Sequence, residues 1–126
     1  MSRNLKILVI EDERVLAHNL HTYFARRSAE VRVASNGQCA IDMVATFTPD
    51  VVVLDYGLPG MNGLNAYREL VRRSSRRIGC VLITGFPLER IARASHQRGI
   101  RHLLCKPFPL SELRELVDTC VAEASR

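Results

Sequence analysis

Short runs of apolar residues alternate along this chain with segments in which apolar residues recur every three or four positions. The runs predict five strands, at residues 5–10, 30–35, 50–55, 78–84 and 100–105. Helical spacing predicts five helices between and after them, marked by Val15, Leu16, Leu20, Tyr23 and Phe24; by Ala40, Ile41, Val44 and Phe47; by Leu64, Tyr67, Leu70 and Val71; by residues 87–98; and by Leu110, Leu113, Leu116, Val117 and Val121. This alternation is typical of an α/β fold, because parallel strands need crossover connections and the helices lie in those crossovers.

The third predicted strand has the composition of a central strand. Residues 50–55, DVVVLD, carry three consecutive valines and follow Pro49, which cannot lie inside a strand ladder. Residues 30–35, EVRVAS, alternate polar and apolar side chains, which favours a position nearer the edge of the sheet. We therefore expect a mostly parallel sheet that is covered by helices on both faces.

Glycine, proline and asparagine mark the boundaries of these elements. Residues 56–63, YGLPGMNG, hold too many such residues for a regular element and predict a loop. Gly99 is placed to cap the C-terminus of the fourth helix. Ser111, or the turn before it, could cap the N-terminus of the fifth.

Length and composition fit one soluble domain. The 126 residues, of which 47% are hydrophobic and 25% charged, can form a single core, and we expect one domain over residues 1–126 with no second domain. No apolar run approaches the ~18 residues of a membrane span, and the N-terminal segment does not resemble a secretory signal. The cysteines are well separated and we expect them to be reduced thiols: Cys39, Cys80, Cys105 and Cys120. Together these features predict a cytoplasmic protein with no membrane contacts.

The chain has a formal net charge of +5, and arginines supply most of its positive charges. They cluster within residues 68–77 and 90–101, where aromatic residues are not interleaved with them. Their spacing suits the outer faces of helices, so a solvated surface is favoured over a nucleic-acid patch. A docking surface for an acidic partner stays open.

Chemically active residues follow four of the predicted strands at the same end. Glu11 and Asp12 follow the first strand, Asp55 ends the third, Thr84 ends the fourth and Lys106 follows the fifth. If the strand order is 2-1-3-4-5, these side chains meet at the carboxyl edge, where open parallel sheets bind ligands. The three carboxylates would repel one another there unless a cation offset them. Oxygen ligands without accompanying histidine or cysteine favour Mg²⁺.

With a metal bound, Asp55 is a candidate nucleophile that forms an aspartyl-phosphate. Lys106 would stabilise charge on the transferred group, and the Thr84 hydroxyl could donate a hydrogen bond to it. Taken singly, each residue also has a structural explanation, such as helix capping for an aspartate or strand propensity for a threonine. Their joint occurrence, and a lysine placed after a run that should be buried, favour a functional site.

The sequence resembles the receiver domain of two-component response regulators. The similarity covers nearly the whole chain and rests on the segments ILVIEDE, PDVVVLDYGLPGMNG, VLIT and RGIRHLLCKPF, together with the closing helix. It implies a flavodoxin-like, doubly wound α/β domain with a five-stranded parallel sheet in the order 2-1-3-4-5 and five helices.

The resemblance also implies a role for each residue at the carboxyl edge. Asp55 would accept the phosphoryl group, Thr84 would be the switch hydroxyl and Lys106 would contact the phosphate. The bond between Lys106 and Pro107 is expected to be cis. The implied Mg²⁺ ligands are Glu11, Asp12, Asp55 and the backbone carbonyl of Gly57.

The implied function is phosphorelay signalling, without turnover of a metabolite. The phosphoryl donor would be a sensor histidine kinase or a phosphotransfer protein. Phosphorylation would rearrange the face formed by the fourth helix, the fifth strand and the fifth helix, which controls a downstream protein or a linked output domain. The same face could form a homodimer, and no direct binding of nucleic acid by this domain is expected.

Four positions depart from the usual pattern of the family. Leu103 stands where phenylalanine or tyrosine is usual, which puts aromatic gating in doubt. Gly85 stands where alanine is common and Gly57 has no side chain, so water should reach Asp55 easily; this predicts a weakly protected phosphoryl group. Glu11 replaces the more frequent aspartate and is compatible with a metal contact through water.

Three other functional classes fit the sequence less well. A hydrolase like the haloacid dehalogenase phosphatases needs a second acid two residues after its nucleophile, where this chain has Gly57. A degenerate receiver that only docks partners conflicts with the complete set of acids. A nucleotide-binding flavodoxin-like protein needs a phosphate-cradling loop after the first strand, where this chain has acids.

Overall fold

The computed structural model describes residues 4–124, so residues 1–3 and 125–126 of the predicted domain 1–126 lie outside the described residues. Five strands alternate with five helices: β1 (Lys6–Ile10), α1 (Arg14–Ala25), β2 (Glu30–Ala34), α2 (Gly37–Val44), β3 (Val51–Asp55), α3 (Gly63–Arg73), β4 (Gly79–Thr84), α4 (Leu88–Gln97), β5 (His102–Cys105) and α5 (Leu110–Ala124). Neighbouring strands are parallel in the order β2-β1-β3-β4-β5. The predicted fold class and strand order are confirmed.

Alternate residues of the strands feed two separate cores. In β3, Val52 and Leu54 pack with α2, α3 and α4 on one face of the sheet. Val51 and Val53 pack with α1 and α5 on the other face. Side chains of a strand point alternately to opposite faces, so helices on both faces bury β3 along its whole length. Among residues 4–124, every helix is too short or too polar to cross a lipid bilayer.

The predicted end of the second helix is wrong by about one turn. α2 ends at Val44, so Phe47 lies beyond it, although its N–H still donates to the carbonyl of Met43 at 2.8 Å and its ring is buried. Pro49 limits how far the helix could extend, since a proline disfavours helical conformation in the residue before it, here Thr48.

Of the two positions predicted for the N-cap of the fifth helix, Ser111 is wrong. α5 begins at Leu110, which places Ser111 inside the first turn. The carbonyl of Pro109 accepts hydrogen bonds from the N–H groups of Glu112 and Leu113 and so closes that turn, which agrees with the turn before Ser111 as the start of the helix. The fifth strand is shorter than predicted and begins at His102.

Gly99 caps α4 as predicted. Its φ is +81°, its N–H donates to the carbonyl of His96 at 3.0 Å, and the N–H of Ile100 donates to that of Ser95 at 2.9 Å. This is a Schellman motif, in which the left-handed residue is usually glycine.

Two apolar residues from the predicted helical stripes face outward. Val15 is 66% exposed and Val71 is 44% exposed. Each is next in sequence to a residue on the inner side of its helix, Leu16 or Leu70, and successive helical residues point about 100° apart.

Candidate functional site

The strand register brings the predicted site residues to one edge of the sheet. Asp55 pairs with Ile83, the residue before Thr84, and Thr84 pairs with Cys105, the residue before Lys106. The carboxyl ends of β3, β4 and β5 are therefore nearly level, and the loops that follow them form one crevice.

Glu11, Asp12 and Asp55 form a compact group of carboxylates in this crevice. One oxygen from each lies within 4.8 Å of one from each of the others. Glu11 is 1% exposed and Asp55 is 6% exposed, whereas Asp12 is open to solvent. Two of the acidic side chains are thus buried, and the third lies at the entrance.

Lys106 lies between the two buried acids. Its Nζ atom is 2.9 Å from Oε1 of Glu11 and 3.4 Å from Oδ2 of Asp55. Partial burial acts to lower the pKa of Lys106, but its close approach to Glu11 and the charges of Asp55 and Glu11 outweigh that effect and raise the pKa. The ammonium group therefore stays charged, yet it offsets only one of the three carboxylates.

The Glu11 carboxylate is the least favourably placed charge of the cluster. Burial raises the pKa of Glu11 to about 7, helped by the charge of Asp55 and opposed by the N–H of Glu13, which donates to Oε2 at 3.0 Å, and by Lys106. Although Oε1 is close to Nζ of Lys106, it accepts no hydrogen bond of regular geometry among the described residues. A buried carboxylate oxygen without a hydrogen bond can still accept an interaction with a cation.

The cluster fits a hard divalent cation. Its ligand atoms are carboxylate oxygens, they converge within a few ångströms, and their charge exceeds that of the neighbouring lysine. Gly57 lies beside the cluster, because its N–H donates to Oδ1 of Asp55 at 3.2 Å. That its carbonyl is a ligand stays a prediction.

Thr84 is fully buried at the end of β4 and is tied to both neighbouring loops. Its Oγ1 accepts a hydrogen bond from the N–H of Phe86 at 2.9 Å, and its carbonyl accepts one from the N–H of Lys106 at 2.7 Å. A movement of the Thr84 side chain would therefore release the backbone of the loop that leads into α4. The bond between Lys106 and Pro107 is cis, as predicted.

Two aromatic residues at the mouth of the crevice were missed in the sequence. The rings of Tyr56 and Phe86 meet edge to face with centroids 5.9 Å apart, and Phe86 is 46% exposed. They join the loop after β3 to the loop after β4. Only their positions in the sequence, one residue after Asp55 and two residues after Thr84, could have indicated that they lie beside the site. Leu103, at the position that is usually aromatic, instead packs half-buried against the core beneath α2, α3 and α4.

Gly63 is a second feature that sequence reasoning did not single out. A Cβ atom at this position would lie 2.7 Å from the backbone oxygen of Asp55 and 3.0 Å from Cα of Tyr56. The N–H of Gly63 also donates to the carbonyl of Tyr56 at 2.9 Å. Glycine thus lets α3 begin directly against the backbone that carries Asp55.

Comparisons with known proteins agree with this arrangement. A family model described as the response regulator receiver domain matches residues 7–118. The chain is 33% identical over 113 residues to the regulatory protein AtoC of Escherichia coli K12. The aligned region covers 90% of this chain and 24% of AtoC. It is 28% identical over 114 residues to sporulation initiation phosphotransferase F of Bacillus subtilis 168, which covers 90% of this chain and 91% of that protein.

The chain matches only part of some longer relatives. It spans 24% of AtoC and 34% of the regulator of RpoS from Escherichia coli K12, to which it is 32% identical over 117 residues, or 92% of this chain. Among solved structures, a CheY-like receiver domain protein from Methanospirillum hungatei JF-1 superimposes with a TM-score of 0.88 at 17% identity and covers 98% of both chains. That likeness supports the fold.

The family model takes in four of the five strands and four of the five helices in full, as well as each acid of the cluster and Lys106. This chain therefore belongs to the response regulator receiver domain family.

Proposed function

We propose that Asp55 of this receiver domain accepts a phosphoryl group in a Mg²⁺-dependent reaction. The observation that carries the proposal is the position of the Asp55 carboxylate, within 4.8 Å of two further acids and 3.4 Å from Nζ of Lys106. A buried carboxylate in this setting is held ready as an acceptor, because positive charge stands where the phosphoryl oxygens will come.

The ligands proposed for the ion are the carboxylates of Glu11, Asp12 and Asp55 and the carbonyl of Gly57. When bound, Mg²⁺ supplies positive charge that offsets the carboxylates and the oxygens of the incoming group. The exposed position of Asp12 leaves one side of the cluster accessible from solvent, which a phosphoryl donor requires.

Three side chains of the protein have separate roles in the phosphoryl transfer. An oxygen of Asp55 forms the bond to phosphorus as the bond between phosphorus and the donor nitrogen breaks, and the donor histidine leaves. Lys106 pairs with one phosphoryl oxygen, and the Thr84 hydroxyl turns to donate a hydrogen bond to another. When Thr84 turns, the N–H of Phe86 loses its acceptor, and the loop into α4 is free to move.

This release is the proposed link between phosphorylation and output. α4, β5 and α5 form the face that we expect to change, and this face would control a downstream protein or a linked output domain and could form a homodimer. The donor is a sensor histidine kinase or a phosphotransfer protein. The chain acts as one receiver domain in the cytoplasm, without metabolite turnover, membrane contact or direct nucleic-acid binding.

The proposal is tested by incubating the protein with Mg²⁺ and acetyl phosphate and measuring its intact mass. The wild type should gain one phosphoryl group, and chelation of the metal should prevent the gain. Asp55→Asn should gain nothing, whereas Asp42→Asn, which changes an exposed aspartate on α2, should behave as the wild type. An Asp55→Asn variant that gains the same mass would exclude Asp55 as the acceptor.

A further inference from the structure

A groove of about 380 Å³ lies between α3 and the end of α4, far from the acid cluster. Ile78, just before β4, and Gly99, which caps α4 before β5, both line it. The groove therefore opens at the amino edge of the sheet, and the acids lie at the carboxyl edge. A molecule bound in the groove would not obstruct Asp55.

Arginine dominates the charge of this groove. Arg68, Arg72, Arg77 and Arg98 line it together, and no acidic residue is among the described residues that form its lining. Arg72 pairs with Glu69 at 2.9 Å on its own helix. Within residues 4–124, the other three guanidinium groups form no ion pair, so their charges converge on the groove without a counterion from the described part of the chain.

Other arginines nearby are already committed to acids. Arg76 lies 3.2 Å from Asp50, and Arg101 lies 3.4 Å from Glu123. Three of the four arginines that line the groove thus keep unpaired charge within the described residues, although these two neighbouring arginines are paired.

The groove also presents apolar surface. Val71, at 44% exposure, is one of three large hydrophobic residues that the described part of the chain exposes, and it lines the groove together with Arg68 and Arg72 of α3. Ile78 forms a buried part of the wall beside it. An exposed apolar side chain beside several charged groups is typical of a contact surface, since interfaces usually combine apolar contacts with a polar rim.

We propose that this arginine groove, formed by Arg68, Val71, Arg72, Arg77 and Arg98, docks an acidic peptide segment of a partner protein. Carboxylates of the segment pair with the guanidinium groups, and an apolar side chain of the segment packs against Val71. The inference goes beyond phosphoryl acceptance and does not rest on it.

An acidic peptide fits the groove better than a nucleic acid does. Single-stranded nucleic acids are held by bases that stack on exposed aromatic rings. Among the described residues that line the groove, the aromatic ring is that of Tyr67, which is half-buried and whose hydroxyl donates to the carbonyl of Ile78 at 2.7 Å. That ring is fixed in the wall, and the surface beside it suits an aliphatic or aromatic side chain.

The test is fluorescence anisotropy with a short labelled peptide in which glutamates flank a central leucine. The wild type should bind it, and Arg68→Gln with Arg98→Gln should weaken binding roughly five- to tenfold, because each exposed ion pair contributes a few-fold at most. A charge-matched control, Arg26→Gln with Arg114→Gln, changes two exposed arginines outside the groove and should alter binding less than about twofold.

Two further comparisons separate docking from general attraction. Val71→Ser should weaken binding of the leucine peptide a few-fold but leave unchanged the binding of a peptide with serine in place of leucine. Asp55→Asn should bind as the wild type does, because the groove lies at the opposite edge.

Three results would overturn the proposal. They are equal losses in the groove variant and its control, absence of peptide binding at low salt, and groove-dependent binding of an oligouridylate of equal charge that is tighter than that of the peptide.

Discussion

At the scale of single residues, the site is built from charges that do not balance. Lys106 contacts Glu11 at 2.9 Å and Asp55 at 3.4 Å, yet one ammonium group cannot offset three carboxylates. Under the proposed function, a divalent cation offsets the remaining negative charge, and the lysine and the cation together prepare Asp55 for an anionic phosphoryl group. The excess of negative charge in the metal-free protein favours binding of a cation at this site.

Replacing Lys106 with glutamine should separate metal binding from phosphoryl transfer. We expect phosphorylation by acetyl phosphate to slow by about a hundredfold, the usual effect of losing one group that stabilises developing charge. Mg²⁺ affinity, measured by calorimetry, should be retained or increased because a competing cation is removed. Lys6→Gln, at the other end of the sheet, is the control. Parallel losses of affinity and rate would show instead that Lys106 shapes the metal site.

The phosphoryl group on Asp55 should be weakly protected from water. Added Cβ atoms at Gly57 and Gly85 would meet nothing within 4 Å, so the mouth of the crevice is open on both loops. We expect the purified phosphoprotein to lose its phosphoryl group within hours at neutral pH, as followed by intact mass. Gly57→Leu should lengthen this lifetime several-fold, since its φ is not in the left-handed region and the side chain can cover the opening. A wild-type acyl phosphate that persists for many hours would contradict the expectation.

That the candidate site residues lie together could be predicted, but not how the side chains around them pack. Glu11, Asp55 and Lys106 lie at or just after the ends of strands, and the ends of parallel strands must meet once the strand order is known. The contact between Tyr56 and Phe86 depends on the conformations of two loops, which no periodicity encodes. The hydrophobic pattern of the sequence therefore does not predict which side chains meet at the mouth of the site.

At the scale of elements, strands were predicted more closely than helix ends. β3 is recognisable because three valines in succession suit burial on both faces. The end of α2 was missed because Phe47 continues the helical spacing although the helix ends at Val44. Periodicity reports which side chains are buried, and the backbone chemistry of the next residues decides where the helix ends.

The start of α3 should be intolerant of any side chain at Gly63. Gly63→Ala places Cβ against the backbone oxygen of Asp55, and we expect a net loss of about 1–3 kcal/mol in the free energy of unfolding despite the better helix propensity of alanine. Urea unfolding measures the loss. Gly85→Ala, whose Cβ meets open space, should change stability by less than about 1 kcal/mol. Equal stability of the two variants would show that α3 can shift without cost.

At the scale of the whole molecule, the two edges of the sheet carry opposite charge. Carboxylates gather where the strands end, and unpaired arginines gather around the groove near the start of β4 and β5. The net charge of +5 hides this division, because it sums over both edges. Under the two proposals, one small fold presents a site for a cation and phosphate at one edge and a surface for an acidic partner at the other.

Mg²⁺ should stabilise the whole domain through the acid cluster. At one hundred times the dissociation constant, binding adds about 2.7 kcal/mol to the free energy of unfolding, which thermal unfolding detects as a higher Tm. Asp12→Asn should remove most of this gain. The same variant should be slightly more stable than the wild type without metal, because one of three repelling charges is gone. The control Asp42→Asn should change neither value, and a wild-type Tm that does not respond to Mg²⁺ would rule out a metal site.

The most direct test of the central claim is to locate the phosphoryl group within the chain. Borohydride reduces an acyl phosphate on aspartate to homoserine, and peptide mass spectrometry then identifies the residue that was modified. After incubation with Mg²⁺ and a phosphodonor, homoserine should appear at position 55 alone, and only when the metal is present. Homoserine at another acid, or none at position 55 in a protein that has gained a phosphoryl group, would contradict the assignment of Asp55.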